Sequence, residues 1–236
     1  MRHILLRSCA GLLIIAIQVV IPQPARATSI TVMSVDADNQ GFKDPGSPDA
    51  ASTAGGNSGA TLGAQRLIAA QFAADIWADL LSSNVPILID AKFVPPNPNP
   101  HDPLIPADSL NRLSCDAARP VIATGDSNTF HDNFTNAADK SPPIKSTWYP
   151  QALANSIAGV DLSTTSDIRT YFNSSVGTPR CLSSNGWYYG LDGNSPAGQF
   201  DFVTFALREL GHGLGFITTV NLTNGKKLGV LMMRFL

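Results

Sequence analysis

The chain has 236 residues, 44% of them hydrophobic and 14% charged, with a formal net charge of -2. That length is enough for one sizeable domain or two small ones, and the charge balance gives no reason to expect nucleic acid or an anionic membrane as partner. No heptad pattern or internal repeat is present, which excludes a coiled coil or solenoid.

Arg2, His3 and Arg7 precede the apolar run CAGLLIIAIQVVI, and ARA at 25–27 offers small residues where a signal peptidase reads. Residues 1–27 therefore read as a signal peptide, and the expected location is secreted or periplasmic, by bacterial export. The run is short for a span of roughly 20 residues, and Pro22 and Pro24 follow it. A retained anchor is the weaker reading, and no stable membrane span is expected after cleavage.

Loss of Arg2, Arg7 and Arg26 leaves 13 basic residues against 18 acidic ones in residues 28–236, which read as one domain. Cys9 leaves with the signal, and the remaining pair, Cys115 and Cys181, predicts a disulfide in an oxidising compartment. Asn133, Asn173 and Asn221 each begin a glycosylation sequon and read as surface acceptors.

In chain order, SITVMSV reads as a first strand, followed by a long loop rich in Gly, Pro, Ser, Asp and Asn. In that loop Asp36, Asp38 and Asn39 carry oxygens that suit calcium, but their spacing completes no EF-hand, and a polar turn is the simpler reading. Residues 61–83 predict a long helix, with Ile68, Phe72, Ile76 and Leu80 on one stripe and Ala69, Ala73 and Trp77 beside it. VPILIDAKFV predicts a strand with Val85, Ile87, Ile89, Ala91 and Phe93 on one face.

The proline-rich stretch that follows reads as a surface excursion, with one helical turn at ADSLNRL. PVIAT then predicts a short strand, YPQALANSIA a short helix and DIRTYFNSS a strand. In SSNGWYYGLDGNSPAGQ, three adjacent aromatics among turn residues read as a plug over the core rather than as substrate contacts. A helix followed by a strand across a short turn predicts a mixed α+β layer rather than a helical bundle.

The last predicted helix spans about 201–213, with Asp201 as its N-cap. It carries RELGHGLGF, in which positions 208 and 212 stand one turn apart and Glu209 lies beside them. Two histidines at that spacing converge on one zinc ion while the adjacent glutamate activates the bound water. Here Arg208 takes the place of the first histidine, and a guanidinium has no lone pair to give a cation. Glu209 is the only glutamate in a chain with seventeen aspartates, and His101 and His131 lie far away in sequence.

RELGHGLGF resembles the zinc-binding helix of secreted zinc metallopeptidases, the zincins. The likeness is closest to the metzincin-like group, where His-Glu-x-x-His-x-x-Gly-Phe opens the site, as in leishmanolysin-type enzymes. The stretches TLGAQRLIAAQFAADIWADLLSSNVPILIDAKF, STWYPQALANSIAG, DIRTYFNS and GWYYGLDG extend the likeness over most of residues 36–220.

The resemblance puts Arg208 at the first ligand, Glu209 at the general base, His212 at the second ligand, Gly215 at the turn and Phe216 after it. It implies a zinc-dependent metalloendopeptidase acting on peptide or protein substrates through a metal-activated water. It also implies a zincin-like N-terminal subdomain, with a mixed sheet backed by the helix at 61–83 and the DIRTYFNS strand near the cleft. Thr218 stands where a compact metzincin has its third ligand, and no histidine follows His212.

With two ligands lacking, the chain is expected to be inactive and incomplete at its C-terminus, and an exposed sheet edge is expected to promote self-association. The alternative is a non-catalytic secreted pseudoenzyme or truncated gene product without bound zinc, in which Arg208 pairs with Glu209 or a nearby aspartate. In a third reading Gly211, Gly213 and Gly215 break a helix end and His212 is an ordinary, partly buried histidine. A serine hydrolase is the weakest reading, since no Gly-x-Ser-x-Gly elbow occurs.

Overall fold

The computed structural model describes residues 28–95, 113–115, 120–135, 142, 144 and 147–217. The signal segment 1–27, His101, residues 107–112 of the ADSLNRL turn, Thr218 and Asn221 lie outside the described residues. Strand β1 (Ile30–Ser34) is followed by helices α1 (Ala50–Ala54) and α2 (Leu62–Leu80), then by β2 (Ile87–Val94), β3 (Ala123–Ser127), β4 (Phe130–His131) and β5 (Tyr149–Pro150). Helix α3 (Gln151–Ala158), strands β6 (Ile168–Asn173), β7 (Trp187–Tyr188) and β8 (Phe200–Asp201), and helix α4 (Phe202–Leu214) complete the order. No helix among the described residues is long and apolar enough to cross a membrane.

The main sheet has the order β1-β2-β6-β3, with β1, β2 and β6 parallel and β3 antiparallel to β6. This is a mixed α+β fold. On one face of the sheet, Val32, Ile89, Ala91, Thr170 and Phe172 meet Ala70 of α2 and Ala206 and Leu210 of α4. Alternation along β2 buries Ile87, Ile89, Ala91 and Phe93 together, with Val85 buried just before the strand, and along β6 it buries Ile168, Thr170 and Phe172. Trp187 and Tyr189 join the same core, so the aromatic block packs inside it.

Three elements differ from expectation. Helix α2 turns its alanines inward, burying Ala69, Ala70, Ala73, Ala74 and Ala78, while Leu80 is 71% exposed and Ile68, Phe72 and Ile76 are only half-buried. Small side chains let the helix axis approach both the sheet and α4, and the larger apolar residues fill the flanks. The PVIAT strand begins later, at Ala123, and Val121 instead bridges to Ser114. Asn173 is fully buried, so it is not a surface acceptor. Its Nδ2 donates to the sulfurs of Cys115 (3.2 Å) and Cys181 (3.5 Å), which are joined in a disulfide.

The Asp36 region is a polar turn. The Asp36 carboxylate accepts the N–H of Phe42 at 2.8 Å through Oδ2 and that of Phe93 at 3.0 Å through Oδ1, so one oxygen closes the loop on itself and the other ties it to β2. Asp38 pairs with Lys43 at 3.7 Å, and Asn39 takes a left-handed φ of 62°. This arrangement gives no support to a calcium site.

His131 and Asp167 set two opposing pH responses at the β4 side of the molecule. Burial holds the His131 imidazole below its ordinary value of 6.5, outweighing the attraction of Asp161 and Asp132. The unfolded chain then takes up this proton more readily, so His131 withdraws stability as the pH falls through 6.5 toward its folded value. Burial pushes the Asp167 carboxyl up, against the hydrogen bonds from Leu88 N–H and Asn155 that favour its charged form. Its contribution therefore shrinks as the pH rises above the ordinary 3.8. Comparing urea unfolding of His131→Gln with the parent at about pH 5 and 7 isolates the histidine. The parent is expected to lose more stability on acidification than the variant, and equal losses would remove His131 as a cause.

Candidate functional site

The motif lies on α4, whose ends are both closed by the sequence. The Asp201 carboxylate accepts the Thr204 N–H at 2.7 Å as N-cap, and Gly215 ends the helix in the left-handed region at φ 111°. Gly215 N–H donates to the Gly211 and His212 carbonyls, and Phe216 N–H to Gly211 at 2.8 Å, which satisfies the last turn.

Glycines and one tryptophan hold this helix against its neighbours. A Cβ on Gly125 of β3 would lie 2.1 Å from the Glu209 carbonyl oxygen, so the strand and the helix backbone meet directly there. A Cβ on Gly213 would lie 2.3 Å from Ile168 Cγ2 of β6, and one on Gly211 would lie 3.2 Å from the Trp77 ring of α2. Trp77 Nε1 donates to the Leu207 carbonyl at 2.9 Å, and its ring tilts on Phe216 at 5.2 Å. Gly211 and Gly213 are thus packing residues inside the helix, and only Gly215 breaks it.

The helix divides its motif side chains between solvent and core. Arg208 keeps its side chain 62% exposed, while the adjacent Glu209 side chain is 2% exposed. Arg208 Nη1 donates to Glu209 Oε1, so the guanidinium reaches back over the helix to the buried carboxylate. His212 is partly exposed, with Nδ1 2.7 Å from the Phe216 carbonyl oxygen. A carbonyl only accepts, so Nδ1 carries a proton, and in the corresponding neutral tautomer the lone pair is on Nε2.

These residues do not fit a zinc ion. Only His212 offers a donor nitrogen on this face, Arg208 offers none, and Glu209 is turned inward onto the guanidinium. His131, on β4, places its Nε2 3.2 Å from Thr129 Oγ1. Among the described residues, no group of three or more His, Cys, Asp or Glu is arranged to hold a metal.

Gly125 is the site residue that sequence reading passes over. Its signal is a glycine inside the apolar stretch PVIATGDS, where a strand glycine marks close approach of another backbone. No protein-family model, no curated protein and no solved structure matches the chain.

Proposed function

We propose that this chain is a non-catalytic, zincin-like secreted domain in which the motif helix serves packing and the Arg208 guanidinium takes the place of a metal beside Glu209. The observation that carries this reading is the hydrogen-bonded pair between Arg208 and the buried Glu209. A fixed cation on the carboxylate lowers the cost of burying it, which is a service that a metal or a bound water network gives such a group elsewhere. The same pair keeps Glu209 from serving as a solvent-facing base. Export is part of the proposal, and the Cys115–Cys181 disulfide supports an oxidising compartment.

The zinc-dependent endopeptidase reading keeps one supporting observation, the orientation of His212. With Nδ1–H held by a carbonyl, Nε2 is presented as a metal-ligating histidine presents it. Metal analysis after dialysis, joined to a peptidase assay, separates the two readings. The parent chain is expected to keep no stoichiometric zinc and to cleave nothing, and Arg208→His to bind zinc only weakly because two histidines make an incomplete donor set. Equimolar zinc in the parent, with cleavage abolished by a chelator, would overturn the proposal. Arg208→His is also expected to lose about 2 kcal/mol of stability, because it takes a charged donor from a buried carboxylate.

A further inference from the structure

The turn that leads into β7 holds an asparagine–glycine pair in a setting that neither the motif nor the proposed function uses. Of the two such pairs in the sequence, Asn185–Gly186 lies within the described residues and Asn224–Gly225 does not. Asn185 and Gly186 are partly exposed, and Ser184 is exposed. The Asn185 carboxamide is held at both ends: Nδ2 donates to the Gly198 carbonyl at 2.7 Å, and Oδ1 accepts from Ser184 Oγ at 3.3 Å. The Gly186 carbonyl accepts the Phe200 N–H at 2.8 Å, whereas the Gly186 N–H has no acceptor among the described residues. A Cβ on Gly186 would meet nothing within 4 Å, so no neighbour crowds the glycine there.

These are the parts of an intramolecular displacement. The amide nitrogen that follows an asparagine can close a five-membered ring on its Cγ, and glycine gives that nitrogen the freest approach. Here the nitrogen is open to solvent base, and the Ser184 hydroxyl sits on the oxygen where negative charge collects as Cγ becomes tetrahedral. The nearby Asp192–Gly193 pair has the opposite chemistry. The Tyr188 hydroxyl donates to Asp192 Oδ1 at 2.6 Å and the Asn194 N–H at 3.0 Å, and these bonds hold the carboxyl below its ordinary range. An ionised carboxylate resists nucleophilic attack, so the structure selects Asn185.

We propose that Asn185 is a self-modification site, converted in the folded chain to aspartyl and isoaspartyl forms by attack of the Gly186 amide. Hydroxide takes the Gly186 N–H proton, the nitrogen bonds to Asn185 Cγ, and the Cγ–Nδ2 bond breaks. The departing Nδ2 takes a proton from water and leaves as ammonia, which regenerates hydroxide. Water then opens the five-membered imide at either carbonyl, so one carboxylate is gained and the backbone either returns to its original path or runs through Cγ. The effect reaches α4. In the aspartyl form a carboxylate oxygen replaces the donor that lay 2.7 Å from the Gly198 carbonyl oxygen, so attraction becomes repulsion in the loop that enters β8. Phe200 and the Asp201 cap of α4 follow directly.

The test incubates the folded parent, Ser184→Ala and Gly186→Ala at mildly alkaline pH. The tryptic peptide from Cys181 to Arg208 is then followed by mass spectrometry after reduction, where conversion adds about 1 Da. Conversion is expected in the parent and to slow at least about tenfold in Gly186→Ala, because a β-carbon narrows the backbone conformations that bring the nitrogen to Cγ. Ser184→Ala should slow it about twofold to threefold in the folded chain, the equivalent of one weak hydrogen bond, and leave the urea-unfolded chain unchanged. Asn185→Asp should speed hydrogen exchange at the Phe200 amide. An unconverted parent, a Gly186→Ala rate equal to the parent's, or a Ser184→Ala effect that is absent from the folded chain or equal in the unfolded one would each overturn the proposal. Unchanged exchange at Phe200 in Asn185→Asp would overturn its reach to α4.

Discussion

Gly125→Ala is expected to lose about 3 kcal/mol of stability in urea unfolding and to loosen α4 from the sheet. The added methyl would fall 2.1 Å from the Glu209 carbonyl oxygen, 2.7 Å from its carbonyl carbon and 2.9 Å from its Cβ. Relief cannot come from a side-chain rotation, because the nearest obstacles are backbone atoms. It must come from movement of a whole element. Strand β3 is registered on β6 from Ala123↔Phe172 to Ser127↔Ile168, and α4 is also held by Trp77 of α2 and by the contact of Gly213 with Ile168 of β6. Gly186→Ala is the control, since a Cβ there meets nothing within 4 Å and should change stability by no more than about 0.5 kcal/mol. If the two variants unfold alike, β3 and α4 are not in backbone contact at Glu209.

The same contact shows where sequence reading succeeds and where it stops. Local signals are legible: the period-2 pattern of VPILIDAKFV, the Asp201 cap and the terminal glycine of α4 each act within a few residues. The tilt of α2 is not legible, because its apolar residues form two adjacent stripes and only the partners decide which faces inward. Alanine wins in the structure because the helix packs against both a sheet and a second helix. A hydrophobicity ranking alone would have chosen Ile68 and Phe72.

The candidate site follows the same division. Arg208, Glu209 and His212 are placed by helical spacing, and the pairing of Arg208 with Glu209 is among the partners their charges allow. What spacing does not convey is the asymmetry between them, with one side chain in solvent and its neighbour almost fully enclosed. That asymmetry is set by β3, more than eighty residues upstream in sequence, through a glycine with no chemistry of its own. Gln71 is a similar case. Its residue type suits any exposed helical position, and it bonds to the Val32 N–H (3.0 Å) and the Ile30 carbonyl (2.8 Å) only because α2 passes beside the outer edge of β1.

Phe202→Ala is expected to cost about 4 kcal/mol, the largest loss from any single side-chain truncation on α4. Phe202 is fully buried and sits among five rings from four separate parts of the chain. Its centroid lies 4.6 Å from Phe172, 5.2 Å from Tyr189, 5.5 Å from Trp187, 5.8 Å from Phe93 and 6.5 Å from Phe42. Those neighbours belong to the sheet, to the loop after β1 and to the aromatic block before β8, so they cannot all close on a cavity at once. Phe202 is also the first residue of α4, directly after the Asp201 cap, so the cavity would open where the motif helix is anchored. Phe205→Ala, one turn on, removes a partly buried ring that touches Trp187 at 5.5 Å and Phe200 at 5.7 Å, and its expected cost is about half as large. Urea unfolding followed by tryptophan fluorescence measures both, since Trp187 borders each cavity. A smaller loss for Phe202→Ala than for Phe205→Ala would mean that the aromatic cluster collapses freely, and that α4 is held by its glycine contacts rather than by its first side chain.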